Sequence, residues 1–301
     1  MVDADTVRLC VEIQDGLMPG ATLPPNMTTR FYRGGGSTYK PMFFLLTSGN
    51  DVYIIIRGAA EMMDFAACLD FTPVPFEDGF LHKGILESAR WIIQQSRQYI
   101  DNCTGRIICT GHSYGGALTT MITTLLFLEE HKNVIGVAFA PLPSISTSIA
   151  NKIHDIIVSF VYNNDIVPRL NQLLISNLVK LFFPQGVNPI QLQTFLAPIL
   201  AGIVQQGAMF GVPVQNQQDF IPKVIDQILK ASNNTQKEQV YCLAGSIYHI
   251  TPNLDEGTPR FTKVQQIPQL NNLNLMSIMT FIMDHNAQTY FDDILFLEEL
   301  N

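Results

Sequence analysis

No stretch of this chain stays apolar for long enough to cross a bilayer. A spanning helix needs about 20 nearly uninterrupted apolar residues, and the run without polar side chains from Phe195 to Val204 is roughly half that and contains Pro198. The opening MVDADTVRLC lacks a basic region followed by a long apolar core, so it does not read as an export signal. Cysteine is sparse: Cys10, Cys68, Cys103, Cys109 and Cys242 make five, an odd number without metal-type spacing. A reduced, cytoplasmic setting is the resulting expectation, with contact to membranes at most peripheral. Charge is scarce too, at 15% of residues, and the net charge of −8 argues against nucleic acid and against electrostatic docking on anionic lipid. Neither G-x-x-x-x-G-K nor G-x-G-x-x-G occurs, and HExxH and calcium-loop patterns are missing, so no metal or cofactor is expected.

What the chain does have is apolar residues, 47% of the total, with no Pro- or Ser-rich linker dividing them. Residues 1–301 therefore read as one large α/β domain. Asp5 to Gln14 predicts an amphipathic helix. Phe43–Thr47 and Val52–Ile56 predict two strands joined by Ser48-Gly49-Asn50-Asp51, a hairpin signature. Gly84 to Ile100 has helical spacing. Strands follow at Arg106–Thr110, Val134–Ala140 and Ile156–Tyr162, separated by helices over Ala117–Glu130 and near Ser146–His154. That alternation implies a parallel sheet with right-handed crossovers and functional residues at the carboxyl ends of its strands.

The first of those strands runs into Gly111-His112-Ser113-Tyr114-Gly115. A strand that turns directly into a helix forces the middle residue into a strained conformation, lifting its side chain clear of the backbone. The flanking glycines remove Cβ atoms that would clash. The turn aims the Tyr114 N–H, at the start of the helix, toward the place where an attacked carbonyl oxygen becomes negative. Ser113 is thus a candidate nucleophile, the bland reading being a glycine-rich turn that happens to hold a serine or cradles a phosphate. A serine hydroxyl needs a base and a carboxylate to orient that base, in the chain order serine, acid, histidine. Asp165 stands at the carboxyl end of the Ile156–Tyr162 strand, whereas Asp155 lies at its other end. After Asp165 come His249, in a strand-like segment, and His285, at a junction before a second helix-like segment. His285 is the favoured base. His82 and His112 precede the serine, against that chain order, and His112 reads as a packing residue; His131 and His154 fall at helix ends. Arg57-Gly58 after the second hairpin strand brings the Ala59 N–H into consideration as a second oxyanion donor.

Together these segments resemble the class 3 lipases, the family of fungal triacylglycerol lipases and diacylglycerol lipases. The resemblance rests on YIIIRGAA…DFAACLDF, FLHKGILESA, CTGHSYGGALTTM, YNNDIVPRL and MDHNAQTYFDDI, from Tyr53 to Ile294 with one long unmatched stretch. It is nearer in pattern to the intracellular diacylglycerol lipase branch. It implies an α/β-hydrolase fold, a triad of Ser113, Asp165 and His285, and oxyanion amides at Ala59 and Tyr114. One departure stands out. The family commonly carries Ser or Thr where this chain has Ala59, and loss of one such donor costs roughly 10²–10³ in turnover.

From Leu181 to Gln218 the chain has no charged residue. This stretch reads either as a buried helical pair or as an insertion between acid and histidine that caps the site and lines an acyl pocket, with Phe195 inside it. Met62, Met63 and Phe65 form a second apolar set beside Ala59, either a small lid or a core-facing helix. The function expected is hydrolysis of acylglycerol esters. The alternatives are a phospholipase A1-type esterase and a catalytically weak lipid-binding or regulatory protein on the same scaffold.

Overall fold

The computed structural model describes residues 2–17, 21–34, 37, 39–59, 62–186, 188–194, 225–226, 228–229, 241–253, 257–268, 270 and 273–300. Its centre is an eight-stranded sheet in the order β1-β2-β3-β6-β7-β8-β9-β10. The strands are β1 (Thr28–Arg33), β2 (Phe43–Ser48), β3 (Asp51–Ile56), β6 (Ile107–His112), β7 (Val134–Phe139), β8 (Ile157–Tyr162), β9 (Ser246–Thr251) and β10 (Arg260–Val264). A separate hairpin joins β4 (Pro73–Phe76) to β5 (Gly79–His82). Strands β3, β6, β7, β8 and β9 run parallel, and β1, β2 and β10 pair antiparallel at the edges. The expected hairpin is the β2–β3 pair, closed with Ser48 opposite Asp51 and Gly49 at a φ of 55°.

Alternation along each strand divides the core into two layers. Val52, Ile54 and Ile56 of β3 face one side with Ile107 and Cys109 of β6. There they meet α3 (Lys83–Asp101), α4 (Tyr114–Leu128) and α5 (Thr147–Lys152). Tyr53 and Ile55 face the other side with Ile108, Val137 and Phe160, against α1 (Ala4–Gly16) and α8 (Ala287–Ile294). The mostly parallel sheet between helices is what the strand–helix alternation implied, and the fold is the α/β-hydrolase expected from the resemblance.

Boundaries moved where packing overrode local preference. Helix α4 starts at Tyr114 rather than Ala117, because Gly115 and Gly116 belong to its first turn. The helix expected near Ser146–His154 shortens to α5 followed by a 3₁₀ turn, His154–Ile156. Short α2 (Met62–Cys68) packs across α3, and a Cβ on Gly84 would sit 1.9 Å from the Ala67 carbonyl oxygen. Of the charge-free stretch, Leu181 and Phe182 end α6 (Gln172–Phe182) and 188–194 are described, while Phe195 lies outside the described residues. Helix α7 (Leu275–Met283) precedes the His285 turn. Among the described residues no helix is long and apolar enough to cross a membrane.

Candidate active site

Ser113 sits between β6 and α4 with φ 63° and ψ −121°, a strained conformation for a residue with a side chain. Its N–H donates to the Phe139 carbonyl at 2.9 Å and its carbonyl accepts from Ala117 at 3.0 Å, which hold the turn in place. The glycines are there for contact. A Cβ on Gly115 would lie 2.2 Å from the Ile56 carbonyl oxygen, and one on Gly111 would lie 2.6 Å from the same atom. The end of β3, the elbow and the first turn of α4 thus touch through backbone alone.

The sheet places Asp165 in the loop after β8, with no exposed surface. Its Oδ2 lies 2.8 Å from His285 Nδ1, and His285 Nε2 lies 2.7 Å from Ser113 Oγ. Three side chains distant in sequence therefore form one hydrogen-bonded row at the carboxyl edge of the parallel strands. His285 remains about one-fifth exposed, so the row opens to the outside at the imidazole. His249, on β9, bonds the Asn163 carbonyl oxygen through Nε2 at 2.7 Å and supports the acid loop from below. Asp155 lies before β8, exposed and paired with His154.

Several groups around the row were not read from the sequence. The Val167 N–H donates to Asp165 Oδ1 at 2.8 Å, and the Tyr290 hydroxyl donates to Oδ2 at 2.7 Å. Burial, and then the Asp165 charge, push the Tyr290 phenol well above its usual pKa, so it stays a donor. Arg169, 8% exposed, donates to the Asp165 and Asn163 carbonyls and, through Nε, to the Pro268 carbonyl at 2.8 Å. Asp284 accepts from the Asn164 N–H at 3.1 Å and the Asn163 side-chain amide at 3.2 Å, clipping the histidine turn to the acid loop. Only DIVPR and MDHNAQTYF, as short polar islands in apolar sequence, hinted at these contacts.

His112 packs, as expected, but against the row itself. Its ring centroid lies 4.6 Å from that of His285 and 5.5 Å from that of Tyr290. Its Nε2 is buried without a hydrogen-bond partner among the described residues. Burial, with the neighbouring His285, holds its pKa well below the ordinary histidine value, so the ring is neutral.

The loop after β3 abuts the elbow: a Cβ on Gly58 would lie 3.6 Å from Ser113 Cβ. Ala59 follows directly, partly buried against the core. The Tyr114 N–H, in the first turn of α4, has no acceptor within its own helix, and its ring is buried with the hydroxyl donating to Ser88 at 2.7 Å. Within α2, Met63 and Phe65 are half-buried, and Ala67 belongs to the core. Met62 opens that helix, but its side chain lies outside what the structure describes. Asp64 pairs with Arg57 at 3.8 Å, both largely buried, tying α2 to the end of β3. Among the described residues no group of His, Cys, Asp and Glu side chains is placed to hold a metal ion.

The fold, the hydrogen-bonded row at its carboxyl edge and a partial family match together point to a carboxylic ester hydrolase of the α/β type. Residues 53–174 match the model of the lipase (class 3) family. Among solved structures, a triacylglycerol lipase from Penicillium expansum is similar over 87% of this chain and 84% of its own, at 13% identity and a TM-score of 0.50. A lipase from Rhizopus microsporus var. chinensis is similar over 55% of this chain and 67% of its own, at 18% identity and a TM-score of 0.44. The Lip2 lipase of Yarrowia lipolytica is similar over 56% and 74%, at 16% identity and a TM-score of 0.46. Among curated proteins none matches the chain.

Proposed function

We propose that this enzyme hydrolyses acylglycerol esters at a lipid surface through an acyl intermediate on Ser113, with His285 as base and Asp165 as its orienting acid. The observation that carries the reading is the row Ser113 Oγ–His285 Nε2 at 2.7 Å and His285 Nδ1–Asp165 Oδ2 at 2.8 Å. His285 Nε2 takes the hydroxyl proton as Oγ attacks the ester carbonyl. The negative oxygen that forms faces the Ala59 and Tyr114 amides. The intermediate collapses, the alcohol leaves with the proton from the imidazolium, and the acyl group stays on Ser113. Water, deprotonated by His285, then attacks the acyl carbon and frees the fatty acid. Asp165 stays ionised throughout and fixes which imidazole nitrogen carries the proton.

The match of residues 53–174 to the class 3 lipase model supports the acylglycerol class, and so do the apolar side chains assigned to the acyl chain: Met62, Met63, Phe65 and Phe195. Ala59 favours a second reading, a slow enzyme that binds lipid more than it turns it over, because a backbone amide is all that position offers. A matched panel of mono-, di- and triacylglycerols and phospholipids separates the two. Release of fatty acid from an acylglycerol, lost in Ser113→Ala, supports hydrolysis; binding without release by the intact chain supports the second reading. Preferential release from a phospholipid points instead to a phospholipase A1.

A further inference from the structure

Helix α7 ends just before the turn that carries His285, and its sequence, LMSIMTFIM, sorts into two faces. Ile278 and Phe281 are buried against Ile166, with Leu174, Leu178 and Phe182 packed beside them. Met276, Met279 and Met283 stand out on the other face, 79%, 53% and 73% exposed. Spacing of i, i+3 and i+7 puts them in one stripe, which Ile282 widens at 49% exposure. No charged residue occurs from Val264 to Met283, in a chain whose net charge is −8. Isolated exposed apolar residues need no account; a contiguous stripe of them on one helix marks a contact surface.

We propose that this outer face of α7 seats the enzyme on an electrically neutral lipid surface. The proposal rests on the functional reading above for what happens next, delivery of an ester to Ser113. Three features select lipid as the occupant. The stripe offers flexible methionines that adapt to disordered acyl chains, and only Thr280 brings a polar group to fix the register of a protein partner. Lysine and arginine are absent from the helix and its approach, so anionic headgroups gain nothing there. The helix runs directly into the turn bearing His285, so the stripe lies on the element that carries the proposed base.

The helix is also held firmly enough to fix the site relative to that surface. Asn274 and Ser277 close a capping box at its start. At its end the Phe281 carbonyl accepts from the Ile166 N–H at 3.3 Å, and Asp284 is bound by the acid loop.

The test is flotation of the full chain, carrying Ser113→Ala, with phosphatidylcholine vesicles containing diacylglycerol, alongside phosphatidylserine vesicles at low and high salt. A triple variant, Met276→Gln with Met279→Gln and Met283→Gln, is compared with its parent. A second variant, Met276→Trp, reports through its fluorescence. Expected are salt-insensitive binding to the neutral vesicles, a loss of about tenfold or more in the triple variant, and a blue shift for the new tryptophan on vesicles. With Ser113 restored, the triple variant keeps its rate on a soluble short-chain ester within about twofold and loses rate on vesicle-borne ester. Undiminished flotation of the triple variant overturns the proposal, as does absence of flotation by the parent. A dimer that the triple variant dissolves also overturns it, by assigning the stripe to a second copy. Flotation through α7 by a chain that hydrolyses no ester leaves this surface standing and removes the functional reading instead.

Discussion

Tyr290 donates its hydroxyl hydrogen to Asp165 Oδ2 at 2.7 Å and accepts the Tyr162 N–H at 2.7 Å. One fully buried phenol thus ties helix α8 to the end of β8 and to the carboxylate that bonds His285. Tyr290→Phe removes one donor from a buried carboxylate and leaves the Tyr162 N–H without its partner. The expected result is a fall in kcat of about tenfold with little change in KM, and a loss of about 1–3 kcal/mol in stability. Steady-state kinetics and denaturant unfolding measure the two separately.

His112 forms the floor beneath His285 as a flat, neutral ring. His112→Phe preserves a planar surface and is expected to retain activity within about threefold. His112→Ala removes the seat and lowers kcat by about 10² through misplacement of the imidazole. Equal losses in both variants would mean that a polar atom of His112 matters and its surface does not.

Acid should destabilise this fold through a different histidine. His82 is buried at the start of α3, its Nε2 3.1 Å from the Cys68 carbonyl oxygen, and burial holds its pKa at about 4. The unfolded chain binds a proton there below the ordinary value near 6.5, which the folded chain refuses until about 4. Stability from this group is therefore complete above about pH 6.5 and falls by about 3 kcal/mol as pH drops to about 4, where the loss levels off. His112, shifted in the same direction, adds to the slope. Urea unfolding between those limits should show the decline, and His82→Asn, which keeps a capping side chain, should flatten part of it.

Ala59 is where this chain departs most pointedly from the pattern it otherwise follows. Ala59→Ser supplies a hydroxyl beside the Ser113 elbow and is expected to raise kcat by about tenfold or more on the same ester, with KM little changed. An unchanged kcat would place the limiting step outside the chemistry at the oxyanion.

The elbow and the parallel strands were legible in the sequence because each depends on local signals: glycines forced by backbone contact, apolar runs of strand length, and chain order. Gly115 illustrates this, since no side chain fits within 2.2 Å of the Ile56 carbonyl oxygen. The surrounding support was not legible, because it depends on side chains meeting across the fold. Nothing local distinguishes Tyr290 from any aromatic on an amphipathic helix, or Arg169 from a surface arginine, until β8 and α8 are brought together. Edge strand β10 was missed for a related reason. Its residues, Arg260-Phe261-Thr262-Lys263-Val264, are largely exposed and carry charge suited to an unpaired edge, which hides the apolar alternation of a central strand. Helix α7 shows the converse: its buried and its exposed faces are both mostly apolar, so its sequence conceals which one packs.

The most direct measurement is covalent labelling of the intact chain by a fluorophosphonate, read by mass spectrometry at the level of the modified residue. The account predicts a single adduct on Ser113, absent in Ser113→Ala and formed at least about 10²-fold more slowly in His285→Ala. An intact, folded chain that takes no label at Ser113, or labels equally fast without His285, would contradict it.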